Sequence, residues 1–260
     1  MPHLTLPDGS QNHLTEAPGH YLGSSVLLDL QDSRLRLRAC SLTQLCKTDR
    51  ERAMAVHNYV KKLPFKRPFK LRLRTAREVM DAGEGDATDK STLLIALLRR
   101  CRIPARIRYV ELSGEILRGL TSMMATAPRP VIEIWLHSGW VRTDSYIFDT
   151  AYMAAARQRL KDHEWEWGYG IHRNGQSVWN GTDDAFLGGY RTEQDPLVLR
   201  TLGVYHDPLQ FVSSDVFRRN FKPVAGLHWN LLSLMMRKAV RQLRAEGTGS
   251  SFDGPRRKRS

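Results

Sequence analysis

Cysteine is scarce in this chain of 260 residues, which contains Cys40, Cys46 and Cys101 and no others. Their odd number and irregular spacing fit neither a disulfide framework nor a zinc site, so we predict a reducing, cytoplasmic setting. His163, His172 and the other scattered histidines lack metal-ligand spacing, and we predict no metal or other cofactor.

Long apolar runs are also missing. No window approaches the about 18 apolar residues that a membrane-spanning helix needs, and we expect no membrane span. The N-terminus has no basic region followed by an apolar run, so we expect no signal peptide.

Acidic residues are outnumbered, with 27 Asp and Glu against 40 Lys and Arg, for a net charge of +13. The basic residues concentrate in residues 61–77, 99–108 and 255–259. Such density can attract nucleic acid, acidic proteins or membrane surfaces. No helix-turn-helix, zinc-finger or RNA-recognition signature accompanies it. We therefore favour a solvated basic surface that could steer an anionic ligand over specific nucleic-acid binding.

The most informative segment is residues 83–106, where a glycine-bearing turn runs into an amphipathic helix. Asp86 is placed to cap the helix, with Asp89 at capping-box spacing. The first-turn residue is Ala87, at the position where a helix dipole would stabilise a thiolate. Apolar side chains recur at helical spacing and mark a buried face: Leu94, Leu97, Leu98 and Cys101.

This segment resembles the transglutaminase-like domain family of the papain-type cysteine-enzyme superfamily. In that family a Gly-x-Gly-Asp-Cys turn opens a leucine-rich helix, which is followed by Arg-x-x-Gly-Ile-Pro-Ala-Arg and a strand. Here residues 83–87 read GEGDA and residues 97–106 read LLRRCRIPAR. The resemblance covers about residues 20–150 and places the family cysteine at Ala87.

A second match lies in residues 129–144, RPVIEIWLHSGWVRTD. It is similar to the family hairpin that carries the catalytic histidine and aspartate. Aligned without a gap, the aspartate falls on Asp144 and the histidine on Arg129. The resemblance thus gives the three triad positions as Ala87, Arg129 and Asp144, of which Asp144 alone keeps the family residue.

These departures argue against cysteine chemistry, which needs a thiolate, a base and a group that orients the base. Ala87 has no nucleophile, and the guanidinium of Arg129 stays protonated near neutral pH and cannot act as a base. We expect that Arg129 pairs with Asp144 and that a catalytic contact has become a structural ion pair.

Cys101, Thr88 and Ser91 are the other candidate nucleophiles on this helix. Cys101 lies fourteen residues beyond Ala87, about 21 Å along the helix, and on its apolar face, so we interpret it as an inert core thiol. Thr88 and Ser91 lie close to the vacant position, but each would need a base, and we interpret them as ordinary helix residues.

Glu133, Trp165 and Trp167 are further candidate ligand contacts. Glu133 shares a strand face with Arg129, where it could border a cleft or pair with a nearby arginine. Trp165 and Trp167, in a segment rich in glycine, could form an aromatic clamp or a patch that closes the core. We interpret His137 as a turn residue, about 26 Å of strand away from Arg129.

The order of elements, helices first and antiparallel strands after, predicts an α+β fold with a papain/transglutaminase-like core, helices on an antiparallel sheet and a mostly helical C-terminal extension. We expect a flexible arm over residues 1–20, the core over 21–150, the extension over 151–247, packed on that core, and a disordered basic tail over 248–260. Expected helices cover residues 49–62, which Asp49 would cap, 75–82 and 150–162, with an amphipathic helix inside 226–247. Expected strands cover residues 105–112, 129–136 and 140–145, and an extended segment covers 27–37.

The function that follows is a transglutaminase-like protein that has lost acyl-transfer or amide-hydrolysis chemistry and keeps a binding cleft. Asp86, Glu133, Trp165 and Trp167 are its candidate contacts, and a peptide, an amine- or acyl-bearing ligand, or a protein partner is the candidate occupant. The alternative is an active acyltransferase or amide hydrolase whose nucleophile at position 87 was substituted or replaced by another group.

Overall fold

A computed structural model describes residues 17–66, 72–188, 195–221 and 236–245. The expected tail over 248–260, the first sixteen residues of the expected arm and much of the expected helix in 226–247 lie outside the described residues. Of that last helix, residues 236–245 are described, and they are helical.

Seven helices carry labels here, each with the bounds that the structure gives it: α1 Ser33–Thr43, α2 Asp49–Lys62, α3 Ala76–Ala82, α4 Ala87–Arg100, α5 Thr150–Asp162, α6 Pro208–Val212 and α7 Asp215–Asn220. Short 3-10 turns cover Pro18–Leu22 and Gly114–Leu117.

Six strands form two sheets: β1 Ala105–Ser113, β2 Thr126–Leu136, β3 Gly139–Thr143, β4 Trp167–Gly168, β5 Ile171–His172 and β6 Val198–Tyr205. The larger sheet has the order β3-β2-β1-β6, and its pairs are all antiparallel. The pair β4-β5 forms a small ribbon. Among the described residues, the molecule is therefore a mixed α+β fold, as the sequence predicted.

Helix α4 lies at the centre of the core. Its residues 89–99 are buried around the whole circumference. It packs against β1 and β2 on the sheet and against α1, α2 and α3. Burial on all sides explains why its sequence carries leucine, isoleucine and alanine at more positions than one helical face requires.

Helices α2 and α5 have the bounds predicted from the sequence. The residue that caps α2 differs from the one predicted. Thr48, not Asp49, is the N-cap: its hydroxyl accepts from the Glu51 amide, and Glu51 completes a capping box. Asp49 is the first helical residue, where a carboxylate favours the helix dipole.

The extended segment expected over residues 27–37 is wrong, since α1 begins inside it at Ser33. Asp32 caps α1 by accepting from the amides of Arg34 and Leu35. Leu35 and Ala39, four residues apart, form the buried face. The arginines between them obscured this helical spacing in the sequence.

The β2–β3 hairpin turns at His137 and Ser138, which both adopt positive φ, as a two-residue turn of this kind requires. His137 is thus a turn residue, as predicted. Strand β6 was not predicted, and it pairs with β1 through the register Ile107 to Tyr205. The sheet therefore includes residues from the expected C-terminal extension.

Candidate functional site

The turn that precedes α4 is built around two glycines. Gly83 ends α3 in the left-handed conformation, with φ +66°, which glycine adopts without strain. Gly85 lies so close to Asp89 that an added Cβ would stand 2.6 Å from the Cβ of Asp89. Its amide donates to Pro64 and its carbonyl accepts from Lys66, which fixes the turn to the chain that follows α2.

Asp86 caps α4 as predicted. Its carboxylate accepts from the Asp89 amide, and the Asp89 carboxylate accepts in return from the Asp86 amide. Asp89 is also paired with Arg74 at 2.6 Å. This capping box fixes the direction in which α4 begins, and with it the position of Ala87.

Ala87 is the first residue of α4 and borders a cavity of about 320 Å³. We call this cavity the cleft. Its lining is mostly apolar and comes from the start of α4, from β1 and β2, and from α6 and α7; it includes Phe65, Tyr109, Leu112, Leu117, Leu120, Met124, Phe148, Phe211 and Phe217. Asp86, Thr88 and Arg129 are the polar side chains that join Ala87 and Tyr109 on its wall.

Arg129 and Asp144 form the expected ion pair, with Arg129 Nε 3.1 Å from Asp144 Oδ2. Both residues are buried, at 9% and 2% exposure. Arg129 borders the cleft beside Ala87, whereas Asp144 lies behind Arg129 and is not among the residues that line the cleft. Ala87 and Arg129 thus border one cavity, and Asp144 is the buried partner of Arg129.

Backbone groups complete this pair. The Asp144 carboxylate accepts from the Leu187 amide at 2.7 Å, and Arg129 Nη2 donates to the Gly170 carbonyl at 2.6 Å. Burial raises the pKa of Asp144, and the Arg129 guanidinium and the Leu187 amide oppose that rise. The guanidinium is thus held from two sides in the place where the family resemblance puts an imidazole.

The hydroxyl groups near position 87 are already engaged. Ser91 Oγ donates to the Ala87 carbonyl at 2.7 Å and lies 2.6 Å from the Tyr146 hydroxyl. Thr88 hydrogen-bonds Tyr109, whose pKa burial raises well above its usual range. These contacts match the prediction that Thr88 and Ser91 are ordinary helix residues.

Glu133 is buried between two arginines. It pairs with Arg106, and its other oxygen lies 2.7 Å from Arg108 Nε. Arg106 in turn lies over the ring of Trp140, 4.0 Å from its centroid. Glu133 is not among the residues that line the cleft, so of its two predicted roles the structure shows the arginine partner.

The two tryptophans lie apart from the cleft lining. Trp165 lies under Arg118, 3.8 Å from its guanidinium carbon, and packs against the main core. Trp167 donates to Glu115 at 3.2 Å and borders a separate depression with residues 113–115. The structure does not bring these two side chains to the cavity that Ala87 and Arg129 share.

Cys101 caps the C-terminal end of α4 and packs against the core, partly buried. Burial raises the pKa of its thiol, which opposes thiolate formation. Cys40 and Cys46 are free thiols on or near the surface. Among the described residues, no cluster of three or more His, Cys, Asp or Glu side chains is arranged to hold a metal ion.

Lys90, which no sequence motif singled out, is fully buried in the first turns of α4. Its Nζ donates to the carbonyls of Ile147, Leu63 and Lys61, at 2.8, 2.9 and 3.2 Å. A signal was present: Lys90 lies at helical spacing before Leu94 on the apolar face, where an exposed lysine is not expected.

Comparison with solved structures finds two distant matches. One is the structure of "a putative cysteine protease from Cytophaga hutchinsonii", with 14% identity and a TM-score of 0.41, covering 51% of this chain and 44% of that one. The other is "a putative protease from Parabacteroides distasonis", with 15% identity and a TM-score of 0.33, covering 48% of this chain and 26% of that one. The chain thus spans less than half the length of either. The search of curated proteins found no match.

Within the described residues, no helix combines the length and the apolar composition needed to cross a membrane. Residues 38–145 match the family model described as Transglutaminase-like superfamily. That range contains the α4 turn and the β2–β3 hairpin, the two motifs on which the resemblance was based. Residues 38–145 of this chain are therefore a transglutaminase-like domain.

Proposed function

We propose that this transglutaminase-like domain has lost cysteine-based acyl transfer and amide hydrolysis and binds a ligand or partner in the cleft. One observation carries the proposal: Arg129, at the base position, is held by Asp144 and by the Gly170 carbonyl while it borders the same cavity as Ala87. An enzyme inactivated at the nucleophile alone would keep its base.

The described part of the cleft wall offers no substitute base. Among the described residues that line it, none is a histidine, and its one carboxylate, that of Asp86, is the helix cap. His57 is buried and bonded to Ser145 at 3.0 Å, outside the cleft lining, and burial lowers its pKa to about 3. Among the described residues of the cleft wall, a nucleophile at Thr88 or Ser91 would find no free base to accept its proton.

The chemistry of the cleft favours an apolar occupant. Its volume of about 320 Å³ falls in the usual range of small-molecule sites, and its wall is formed mainly by aromatic and aliphatic side chains. Thr88 and Arg129 are polar residues of that wall. A peptide, or an amine- or acyl-bearing ligand, would place an apolar group against the apolar side chains and a polar group near these two residues.

Restoring the two lost groups together tests the proposal. We expect the double variant Ala87→Cys/Arg129→His to react with iodoacetamide at position 87 at least about tenfold faster than Ala87→Cys alone. The reason is that an imidazolium beside a helix N-terminus lowers the pKa of a thiol by one unit or more. Peptide mass mapping separates position 87 from the three native cysteines.

Equal labelling of the single and the double variant would contradict the proposal, because the two positions would then not face one another. Labelling of Thr88 or Ser91 in the unmodified chain by a fluorophosphonate would also contradict it, since a hydroxyl nucleophile would be active. The far-UV circular dichroism of each variant is the control for folding.

Binding is tested separately with the neutral apolar dye Nile red. We expect Ala87→Met, which fills part of the cleft, to weaken dye binding at least about fivefold, since the methionine occupies apolar volume that the dye needs. Ala154→Met, at an exposed position on α5, is the matched control and should leave binding unchanged. Equal binding by both variants would show that the dye does not occupy the cleft.

A further inference from the structure

Three arginines surround a second cavity, at the C-terminal end of α4. It measures about 360 Å³ and is lined by Arg99, Arg100 and Arg102 on one side. Leu22, Ser24, Leu30 and Gln31, from the chain before α1, form the other side. We call this cavity the arginine pocket. It shares no lining residue with the cleft.

The positive charge of the arginine pocket is not neutralised within it. None of the described residues that line it is acidic. Arg100 and Arg102 make no ion pair or side-chain hydrogen bond with any other residue in the part of the chain that the structure describes. Arg100 Nε is buried and lacks a hydrogen-bond partner there. An anion in the pocket would meet the guanidinium groups of Arg100 and Arg102, which have no carboxylate partner among the described residues.

Arg99 is a fixed part of the wall. It is 3% exposed, and its guanidinium donates to the carbonyls of Ala105, Gly23 and His206 at distances from 2.7 to 3.1 Å. Burial lowers its pKa to about 10, so it still carries a positive charge at neutral pH. Backbone carbonyls hold the side chain in place, and the Asp207 carboxylate, which does not line the pocket, favours its charged form.

The end of the helix brings the other two arginines to the pocket. The helix terminates at Cys101, and Arg102 turns the chain back with φ +62°, a conformation uncommon outside glycine and asparagine. Cations near a helix C-terminus are favoured by the dipole, which explains why basic residues lie here. The dipole does not explain a cavity of this size or the unpartnered donor of Arg100.

We propose that the arginine pocket binds a small phosphorylated molecule. A phosphate monoester carries nearly two negative charges and three acceptor oxygens, which match guanidinium donors that have no carboxylate partner. The volume of about 360 Å³ leaves room for a carbon skeleton as well. Leu22 and Leu30 provide the apolar contacts for that skeleton. The inference does not depend on the function proposed for the cleft.

Calorimetric titration of the full chain with phenyl phosphate, orthophosphate and phenol, at constant ionic strength, tests the inference. We expect saturable binding of phenyl phosphate, weaker binding of orthophosphate and none of phenol. Arg100→Gln and Arg102→Gln should each weaken phenyl phosphate binding about tenfold, the usual effect of losing a charge-assisted hydrogen bond. Arg173→Gln, at an exposed arginine that does not line the pocket, should change it less than about twofold.

Three results would overturn the inference: no saturable binding of phenyl phosphate, the same loss in Arg173→Gln as in the pocket variants, or orthophosphate binding as tight as phenyl phosphate. Arg102 is exposed and lacks side-chain partners among the described residues, so its variant is expected to fold even if Arg100→Gln does not. The thermal midpoint of each variant checks this.

Discussion

At the scale of single residues, the proposed function depends on Arg129 standing where the family hairpin has a histidine. In that proposal, the aspartate that orients an imidazole in the family neutralises a buried guanidinium in this chain, and the two side chains lie 3.1 Å apart. The guanidinium of Arg129 pairs with Asp144 and also donates to the Gly170 carbonyl, so the long side chain is held at two points. The pair supports the wall of the cleft and has no proton to transfer near neutral pH.

We expect Asp144→Asn to lower the free energy of unfolding by about 3–5 kcal/mol, because it leaves the buried Arg129 charge without a counter-ion. Urea unfolding at pH 7 measures the change. Asp215→Asn is the control: Asp215 pairs with Arg218 on the surface, where ion pairs contribute little, so stability should not change measurably. Equal effects of the two substitutions would show that the buried pair is no more important than the surface pair.

Lys90 is the second residue whose environment, not its type, decides its role. Two of its three acceptors, the carbonyls of Lys61 and Leu63, lie at the end of α2, and the third, that of Ile147, lies in the segment after β3. One ammonium group therefore links α2 and that segment to the start of α4. Burial lowers its pKa from 10.5 to about 7.

This lowered pKa predicts a pH dependence. Between pH 7 and 10.5 the unfolded chain binds more protons at Lys90 than the folded chain, so stability gained from this group rises with pH in that window. We expect the stability difference between the native chain and Lys90→Met to grow from pH 7 to 8.5, by up to about 1.4 kcal/mol per unit. Denaturant unfolding at several pH values measures it.

Lys62→Met is the control, since Lys62 is an exposed lysine at the end of α2. Its free energy of unfolding should change with pH in the same way as that of the native chain. If the free energy of unfolding of Lys90→Met also followed the native chain with pH, Lys90 would have an ordinary pKa in the folded state. The ammonium group would then have to reach water through local opening of the fold.

At the scale of elements, capping boxes fix the starts of α2, α3 and α4. Each has a Thr or Asp at the N-cap and an acidic residue three positions later: Thr48 and Glu51, Thr75 and Glu78, Asp86 and Asp89. For α4 the effect reaches the cleft, because the cap determines that Ala87, and not a neighbour, is the first helical residue on the cleft wall.

We expect Thr48→Ala to destabilise the protein by about 1 kcal/mol, the usual value of an N-cap hydroxyl. Asp49→Ala, which removes a carboxylate inside the first turn, should cost less, about 0.5 kcal/mol. Thermal unfolding of the two variants ranks them. The reverse order would restore Asp49 as the cap, which is what the sequence alone had predicted.

At the scale of the whole molecule, the larger sheet extends beyond the residues that match the transglutaminase-like family model. The match ends at residue 145, whereas β6, residues 198–205, pairs along β1 and covers that edge. The Arg129–Asp144 pair also depends on later backbone groups, those of Gly170 and Leu187. The expected boundary near residue 150 therefore separates Arg129, Asp144 and β1 from the later backbone groups and the strand that bind them.

A chain ending at residue 150 is accordingly expected to aggregate or to lack fixed tertiary packing, because it exposes the edge of β1 and leaves Asp144 without its amide partner. Size-exclusion chromatography and near-UV circular dichroism detect either result. A chain ending at residue 245 keeps β6 and should behave like the full chain. A monodisperse, well-packed 1–150 fragment would show that residues 21–150 fold independently.

Local patterns were sufficient for much of this molecule. The apolar spacing in 49–62 and 150–162 predicted two helices with their observed bounds, and the sequence GEGDA predicted the capped turn before α4. Local spacing failed where the stabilising contacts are distant: the first half of β6 is mostly exposed, and the strand acquires its partner, β1, from about 90 residues earlier.

The sequence by itself determined the α+β class and the capped start of α4, because each depends on spacing within short segments. The positions Ala87, Arg129 and Asp144 came from the resemblance to the transglutaminase-like family, and their roles stay a proposal. Tertiary structure alone decided which backbone groups hold Arg129 and Asp144, which of its two predicted roles Glu133 takes, and that Trp165 and Trp167 lie apart from the cleft. Those outcomes depend on which strands pair and on which backbone groups reach a buried side chain, and a linear pattern does not contain either.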